Sequence, residues 1–134
     1  MGELPFSLCR RALEFLKAAE GALRSGLFNA AGLLAQIAAE LAVKATIAFL
    51  GYSFPETHQV RKLLAHLAAV WRGEEVTNFI KSRRSELIVL ENARQRGRYF
   101  SYGIEREDAE ICLSTAREVI ELVKRAWDGK WCGV

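Results

Sequence analysis

Leu27 to Leu50 reads LFNAAGLLAQIAAELAVKATIAFL, and the reading of these residues decides the fold. Apolar side chains occupy almost every side of the stretch, so as a helix it has to be wrapped by other helices rather than lie on a surface. Such a helix spans about 36 Å. Its strongly polar interior side chains, Gln36, Glu40 and Lys44, stand four apart and form one line along one face. That line is either a solvated slit or a buried polar seam, and only the seam could hold function. A membrane-spanning reading is disfavoured, because those polar groups fall at the centre and no aromatic belt flanks them.

Outward from this stretch the chain reads as helical throughout. Upstream, Leu8/Cys9, Ala12/Leu13, Phe15/Leu16, Ala19 and Ala22/Leu23 recur at helical spacing, with Pro5 suited to a first helical position. The short break at Ser25-Gly26 makes this helix an antiparallel neighbour of the central one. Gly51 is a helix stop, and the connector Tyr52 to Glu56 contains Pro55, which forbids continuation. Thr57 is expected to cap a third helix with Val60, Leu63/Leu64, Leu67/Ala68 and Trp71 on one face. A fourth is expected over 75–95, with Arg83 and Arg84 interrupting its apolar stripe. An aromatic loop, Tyr99 to Gly103, then leads into a last helix over 105–127, whose early acids Glu105, Glu107 and Asp108 suit its dipole. The expected fold is all-α: an up-and-down bundle of four long helices plus a shorter one, in a single domain over 1–134.

Composition agrees with a folded protein. Of 134 residues 51% are hydrophobic and 26% charged, and the net charge is only +3, so charge alone does not call for nucleic acid. Cys9, Cys112 and Cys132 are odd in number and lack a CxxC pair or a histidine at zinc spacing, so they read as reduced thiols of a cytoplasmic protein. Cys9 and Cys112 fall on apolar faces and read as core. No charged start followed by a long apolar run marks an N-terminal targeting signal.

The block Ala30 to Leu67 resembles the second and third helices of HEPN domains (higher eukaryotes and prokaryotes nucleotide-binding). The residues that carry the likeness are Ala31, Gln36, Ala38, Ala39, Glu40, Ala42 and Lys44, then Gly51, Pro55, Thr57 and His58. Arg98-Tyr99 stands where the family has an Arg-Tyr-Pro-like turn, with Phe100 in place of the proline. The resemblance implies a bundle that dimerises across its later helices. It also implies a partner, a minimal nucleotidyltransferase, in toxin–antitoxin pairs. Ribonuclease members carry an arginine followed after four to six residues by a histidine. There histidine moves a proton to or from the ribose 2′-hydroxyl or the leaving oxygen, and arginine holds phosphate bidentately.

This chain has no histidine after Arg94, since its two are His58 and His66. Tyr99 or Tyr102 would have to replace the missing base in a nuclease, and a phenol with a pKa near 10 is poorly suited to that. Lys81, Arg83, Arg84, Arg94, Arg96 and Arg98, followed by Tyr99, Phe100 and Tyr102, form a basic and aromatic cluster. Arginines there could grip phosphate while rings stack unpaired bases; the plainer reading is a solvated face paired with Glu86 and Glu91. The candidate RNA- or nucleotide-binding residues are therefore Arg94, Arg96, Arg98, Tyr99 and Tyr102. Arg94, Tyr99 and Tyr102 are the catalytic candidates if the chain is a nuclease.

Glu40 and Lys44 suit an i, i+4 ion pair, and the sharper alternative has Glu40 orienting Arg94. His58 reads as a structural residue at a helix start. His66 lies too far along the same helix for metal pairing, so no metal and no cofactor is expected. The preferred function is a dimeric RNA- or nucleotide-binding module working with a minimal nucleotidyltransferase. The alternatives are a metal-independent ribonuclease toxin and a purely structural dimerisation module.

Overall fold

In a computed structural model, which describes residues 2–98 and 103–133, the described residues form six α-helices and no strand. They are α1 (Leu4–Arg24), α2 (Phe28–Phe49), α3 (Val60–Ala68), α4 (Gly73–Ser82), α5 (Arg84–Arg96) and α6 (Arg106–Lys124). Short 3-10 turns follow at Arg125–Trp127 and Trp131–Gly133. The helices make the expected bundle around α2, which packs chiefly on α1 and α6 and is flanked by α5 and α3.

Small residues let α2 sit at the centre. Ala31, Ala35, Ala38, Ala39, Ala42 and Ala45 are all buried, so neighbouring backbones approach it closely. At Gly32 a Cβ would fall 2.6 Å from the Ile104 side chain. α2 is long and apolar enough to cross a membrane, but 67% of its most apolar window is buried within the bundle, as befits a core helix.

Two glycines set the chain reversals that position the site. Gly26, at φ +76°, ends α1 with Leu27 N–H donating to Ala22 O at 2.8 Å and Gly26 N–H to Leu23 O at 3.1 Å. Gly51, at φ +94°, ends α2 in the same paired pattern, with Tyr52 N–H to Ile47 O at 3.1 Å and its own N–H to Ala48 O at 3.0 Å. A left-handed residue at this position satisfies the last helical carbonyls and costs glycine little. The chain then leaves α2 sideways as the link over 50–59.

Three local expectations change. α3 starts at Val60 behind Gln59, and Thr57 Oγ1 accepts the Gln59 N–H at 3.2 Å within the link instead of capping the helix. The helix expected over 75–95 is two, broken at Arg83 (φ −114°). Ser82 Oγ donates to Phe79 O at 3.2 Å there, a local bond that competes with helix continuation. The break lets α4 face α3 while α5 turns to α2 and α6. The interrupted stripe was thus a change of direction.

The third correction concerns the cysteines. Cys9 and Cys132 form a disulfide across 123 residues of sequence, not two reduced thiols, which removes the ground for inferring a cytoplasmic location from them. Their surroundings are apolar: Trp127 is fully buried, stacked on Phe49 at 4.1 Å and edge-on to Trp131 at 5.1 Å. The Trp127 indole N–H donates to Thr46 Oγ1 at 3.0 Å, so the ring's one polar atom is satisfied. Cys112 is the free cysteine and is buried as expected.

Candidate functional site

The polar line on α2 is a buried seam. Gln36 is fully buried and Glu40 nearly so. Gln36 Nε2 donates to Glu40 Oε1 at 3.0 Å and to the carbonyl of His58 at 2.9 Å. Lys44 Nζ donates to Glu40 Oε2 at 2.8 Å, and its ammonium lies 5.4 Å from the centre of the Phe54 ring. The link after Gly51 therefore folds back over the seam, because buried carboxylate and amide groups need partners that α2 alone cannot supply.

His58 completes this arrangement. Its Nδ1 lies 3.0 Å from Glu40 Oε2, and Arg94 Nη1 stands 3.8 Å from Glu40 Oε1, an ion-pair distance longer than a hydrogen bond. One carboxylate thus contacts groups from α2, the link and α5. Burial pushes the Glu40 carboxyl up, but hydrogen bonds from Lys44, His58 and Gln36 outweigh it and hold the group below its ordinary value. Since an ionised carboxylate only accepts, Nδ1 of His58 must carry the proton, which leaves Nε2 with the lone pair in the neutral ring.

Nε2 faces an open region. The His58 side chain is 57% exposed and its Nε2 makes no hydrogen bond among the described residues. A cleft of about 500 Å³ lies here, lined by Glu56, Thr57, His58, Gln59, Arg61, Glu91, Asn92, Arg94 and Gln95. Arg61 and Glu91 form its far wall through a two-pronged pair, Nε to Oε2 at 2.9 Å and Nη2 to Oε1 at 3.0 Å. The Glu91 carboxylate also accepts the Arg61 backbone N–H at 2.9 Å, fixing the start of α3 against α5. The hydrogen bond with Glu91 raises the Arg61 guanidinium above its ordinary value.

Within one protomer Arg94 and Arg96 turn to different partners. Arg94 lines the cleft, with its guanidinium near Glu40. Arg96 points elsewhere: Nη1 donates to Asp108 Oδ2 at 2.7 Å and Nη2 to Gly103 O at 3.0 Å, tying α5 to the entrance of α6. Arg83 pairs with Glu118 through Nε at 3.1 Å, while Lys81, Arg84 and Arg98 are exposed. Of the acids expected beside this basic face, Glu91 is held by Arg61, while the charge of Glu86 acts on Arg83. Tyr99, Phe100 and Tyr102 lie outside the described residues.

A second groove, of about 530 Å³, runs beside α6 and is lined by Glu86, Glu107, Glu110 and Glu118 together with the already paired Arg83. Its acidic lining repels phosphate. Cys112 is no nucleophile either, since burial, with nearby Asp108, pushes its thiol up to about 12.

Sequence reasoning read His58 as structural and did not place it beside Glu40 and Arg94 in this cleft. The available signal was Thr57-His58 at the end of the link that follows the Gly51 stop, where a buried glutamate on the preceding helix needs a donor. Arg61 and Glu91, thirty residues apart, left no local signal at all.

Comparison with known proteins adds the family context. A sequence profile of the HEPN domain matches residues 7–126. Among curated proteins nothing matches. Among solved structures the chain is similar to TT1696 from Thermus thermophilus, with a TM-score of 0.76 at 24% identity over 94% of this chain and 99% of that one. At that identity the likeness concerns the fold alone.

Proposed function

We propose, from the premise that this chain belongs to the HEPN domain family, that it is a dimeric RNA- or nucleotide-binding module working with a minimal nucleotidyltransferase. The observation that carries the reading is the meeting of His58 and Arg94 in one polar cleft, with the buried Glu40 carboxylate behind both. A guanidinium at the cleft wall offers the planar donor pair that phosphate takes. The imidazole offers a further polar contact and a face for a base or ribose. In this reading the ligand sits between the link and α5, with Arg94 as its phosphate contact, while the pairing of Arg96 with Asp108 supports a structural part for Arg96.

Binding of a labelled single-stranded RNA and of a nucleotide, followed by fluorescence anisotropy, tests this. Arg94→Ala is expected to weaken binding on the order of tenfold, the usual worth of a hydrogen-bonded charge contact. The Arg84→Ala control, on the outer face, is expected to bind as the wild type does. Equal binding by wild type and Arg94→Ala removes the reading.

The partner half rests on the family, many of whose members pair with such an enzyme. Sedimentation is expected to show a dimer, and co-expression with a minimal nucleotidyltransferase is expected to yield a complex. A monomer that co-purifies with no such enzyme defeats that half and leaves ligand binding to be judged separately.

A further inference from the structure

We infer that the Cys9–Cys132 disulfide is a redox latch: it pins residues 128–133 over the buried Trp127, and its reduction by a dithiol lets that turn swing away while the six helices stay folded. The inference is independent of what binds in the polar cleft.

Three features carry it. First, the turn has no polar fastening to the helices. Its backbone bonds are local, from Lys130 N–H to Trp127 O at 2.9 Å and from Gly133 N–H to Lys130 O at 2.9 Å. Among the described residues no side-chain hydrogen bond or ion pair joins residues 128–133 to a helix. Besides the covalent bond there is apolar contact, chiefly the half-buried Trp131 edge-on to Trp127 at 5.1 Å.

Second, the turn is bent into a form that needs holding. Asp128 at φ +49°, Gly129 at +79°, Cys132 at +57° and Gly133 at +81° all lie in the left-handed region. Glycine adopts it freely and aspartate tolerates it, but at Cys132 the Cβ crowds the following carbonyl. Once its Sγ is free, Cys132 gains by relaxing to an ordinary φ, and the turn loses its fit to α1.

Third, the bundle is anchored up to a hinge and not beyond it. Arg125 pairs with Glu75 of α4, and the Trp127 indole donates to Thr46 of α2 at 3.0 Å. Asp128 and Gly129 come next, both exposed and both left-handed. The turn beyond them covers an aromatic surface, in which Trp127 stacks on Phe49 at 4.1 Å and meets Phe6 edge-on at 5.8 Å.

The exchange balances with the dithiol as reductant. Cys9 has no exposure, whereas Cys132 stands at the rim between the exposed Lys130 and Gly133, so a thiolate of the reductant attacks Cys132 Sγ. The bond between the two protein sulfurs breaks, Cys9 leaves as a thiolate and takes up a proton, and a mixed disulfide forms on Cys132. The second thiolate of the reductant attacks the reductant sulfur of that mixed disulfide, closing the reductant into a ring and releasing Cys132, which takes up the second proton. Two electrons and two protons thus pass from the dithiol to the protein.

The test compares the full chain, oxidised and then treated with dithiothreitol, well below the melting point of the reduced form. Hydrogen exchange is followed by mass spectrometry on peptides from residues 128–133 and from α2 and α6. The turn is expected to exchange on the order of tenfold faster after reduction, as a locally released segment does, with α2 and α6 unchanged. Tryptophan emission is expected to move to longer wavelength as Trp127 and Trp131 meet water, and both changes are expected to reverse on reoxidation. Cys9→Ser has no bond to reduce and is expected to show the open signature with and without dithiol. Circular dichroism checks that its helices are intact, and the reduced wild type carries the conclusion if that variant does not fold.

A turn that exchanges at one rate in both states, with alkylation showing the thiols free, overturns the latch. Lost protection throughout α2 and α6 also overturns it, because the bond is then a staple of the whole fold. So does a bond that the native protein never forms or never yields to the dithiol, since a latch has to work in the folded state.

Discussion

Glu40 is the residue through which α2 meets both the link and α5. A carboxylate with so little solvent is tolerated only when its lone pairs are occupied, and here Lys44, His58 and Gln36 occupy them. Removing it by Glu40→Ala leaves Lys44 poorly solvated beside Arg94 with no counter-charge between them, and is expected to destabilise the protein by about 3 kcal/mol. Because the folded protein holds this carboxyl below its ordinary value of 4.5, its contribution is complete above that pH and is lost as pH falls through the lower, folded value. Urea midpoints of wild type and Glu40→Gln, taken from neutral pH downward, should therefore differ by a constant amount until about pH 5. Below that the gap should close. A gap unchanged to about pH 3 would show that Glu40 is not held in its charged form.

The scale of elements explains what could be foreseen. α2 declared itself because apolar residues surround it, and a helix with no polar side has one place to go. Its three polar residues at four-residue spacing were equally plain, since spacing alone puts them in line. The third partner was not plain: His58 lies eighteen residues beyond Glu40, and only the reversal at Gly51 lays the link back across α2. Arg83 carries a similar lesson. It breaks the helix expected over 75–95 because its neighbours turn to different helices, and residue periodicity does not record which neighbour an apolar face meets. Arg94 and Arg96 are two residues apart and so project from different sides of α5. Only one of them could line the cleft, although as a string the arginines read as a single patch.

Across the whole molecule the two ends of the chain are fastened to each other. α1 contributes Cys9, the C-terminal turn contributes Cys132, and Phe6, Phe49, Trp127 and Trp131 fill the space around the bond. A pairing over 123 residues has no local signature, which is why spacing gave no hint of it. The same separation gives the bond its leverage, because a cross-link closing so long a loop removes much of the unfolded chain's freedom. In the chain-entropy account that is worth about 5 kcal/mol. Reduction should accordingly lower the melting temperature on the order of 15 °C, and Cys9→Ser should melt like the reduced wild type with no further response to reductant. The bond lies in the aromatic cluster, apart from the seam that holds His58 and Arg94, so the proposed RNA binding, measured well below either melting point, should be nearly the same in both redox states. An unchanged melting temperature, with mass spectrometry showing three alkylated thiols after reduction, would mean that the packed aromatic rings alone hold the chain ends together.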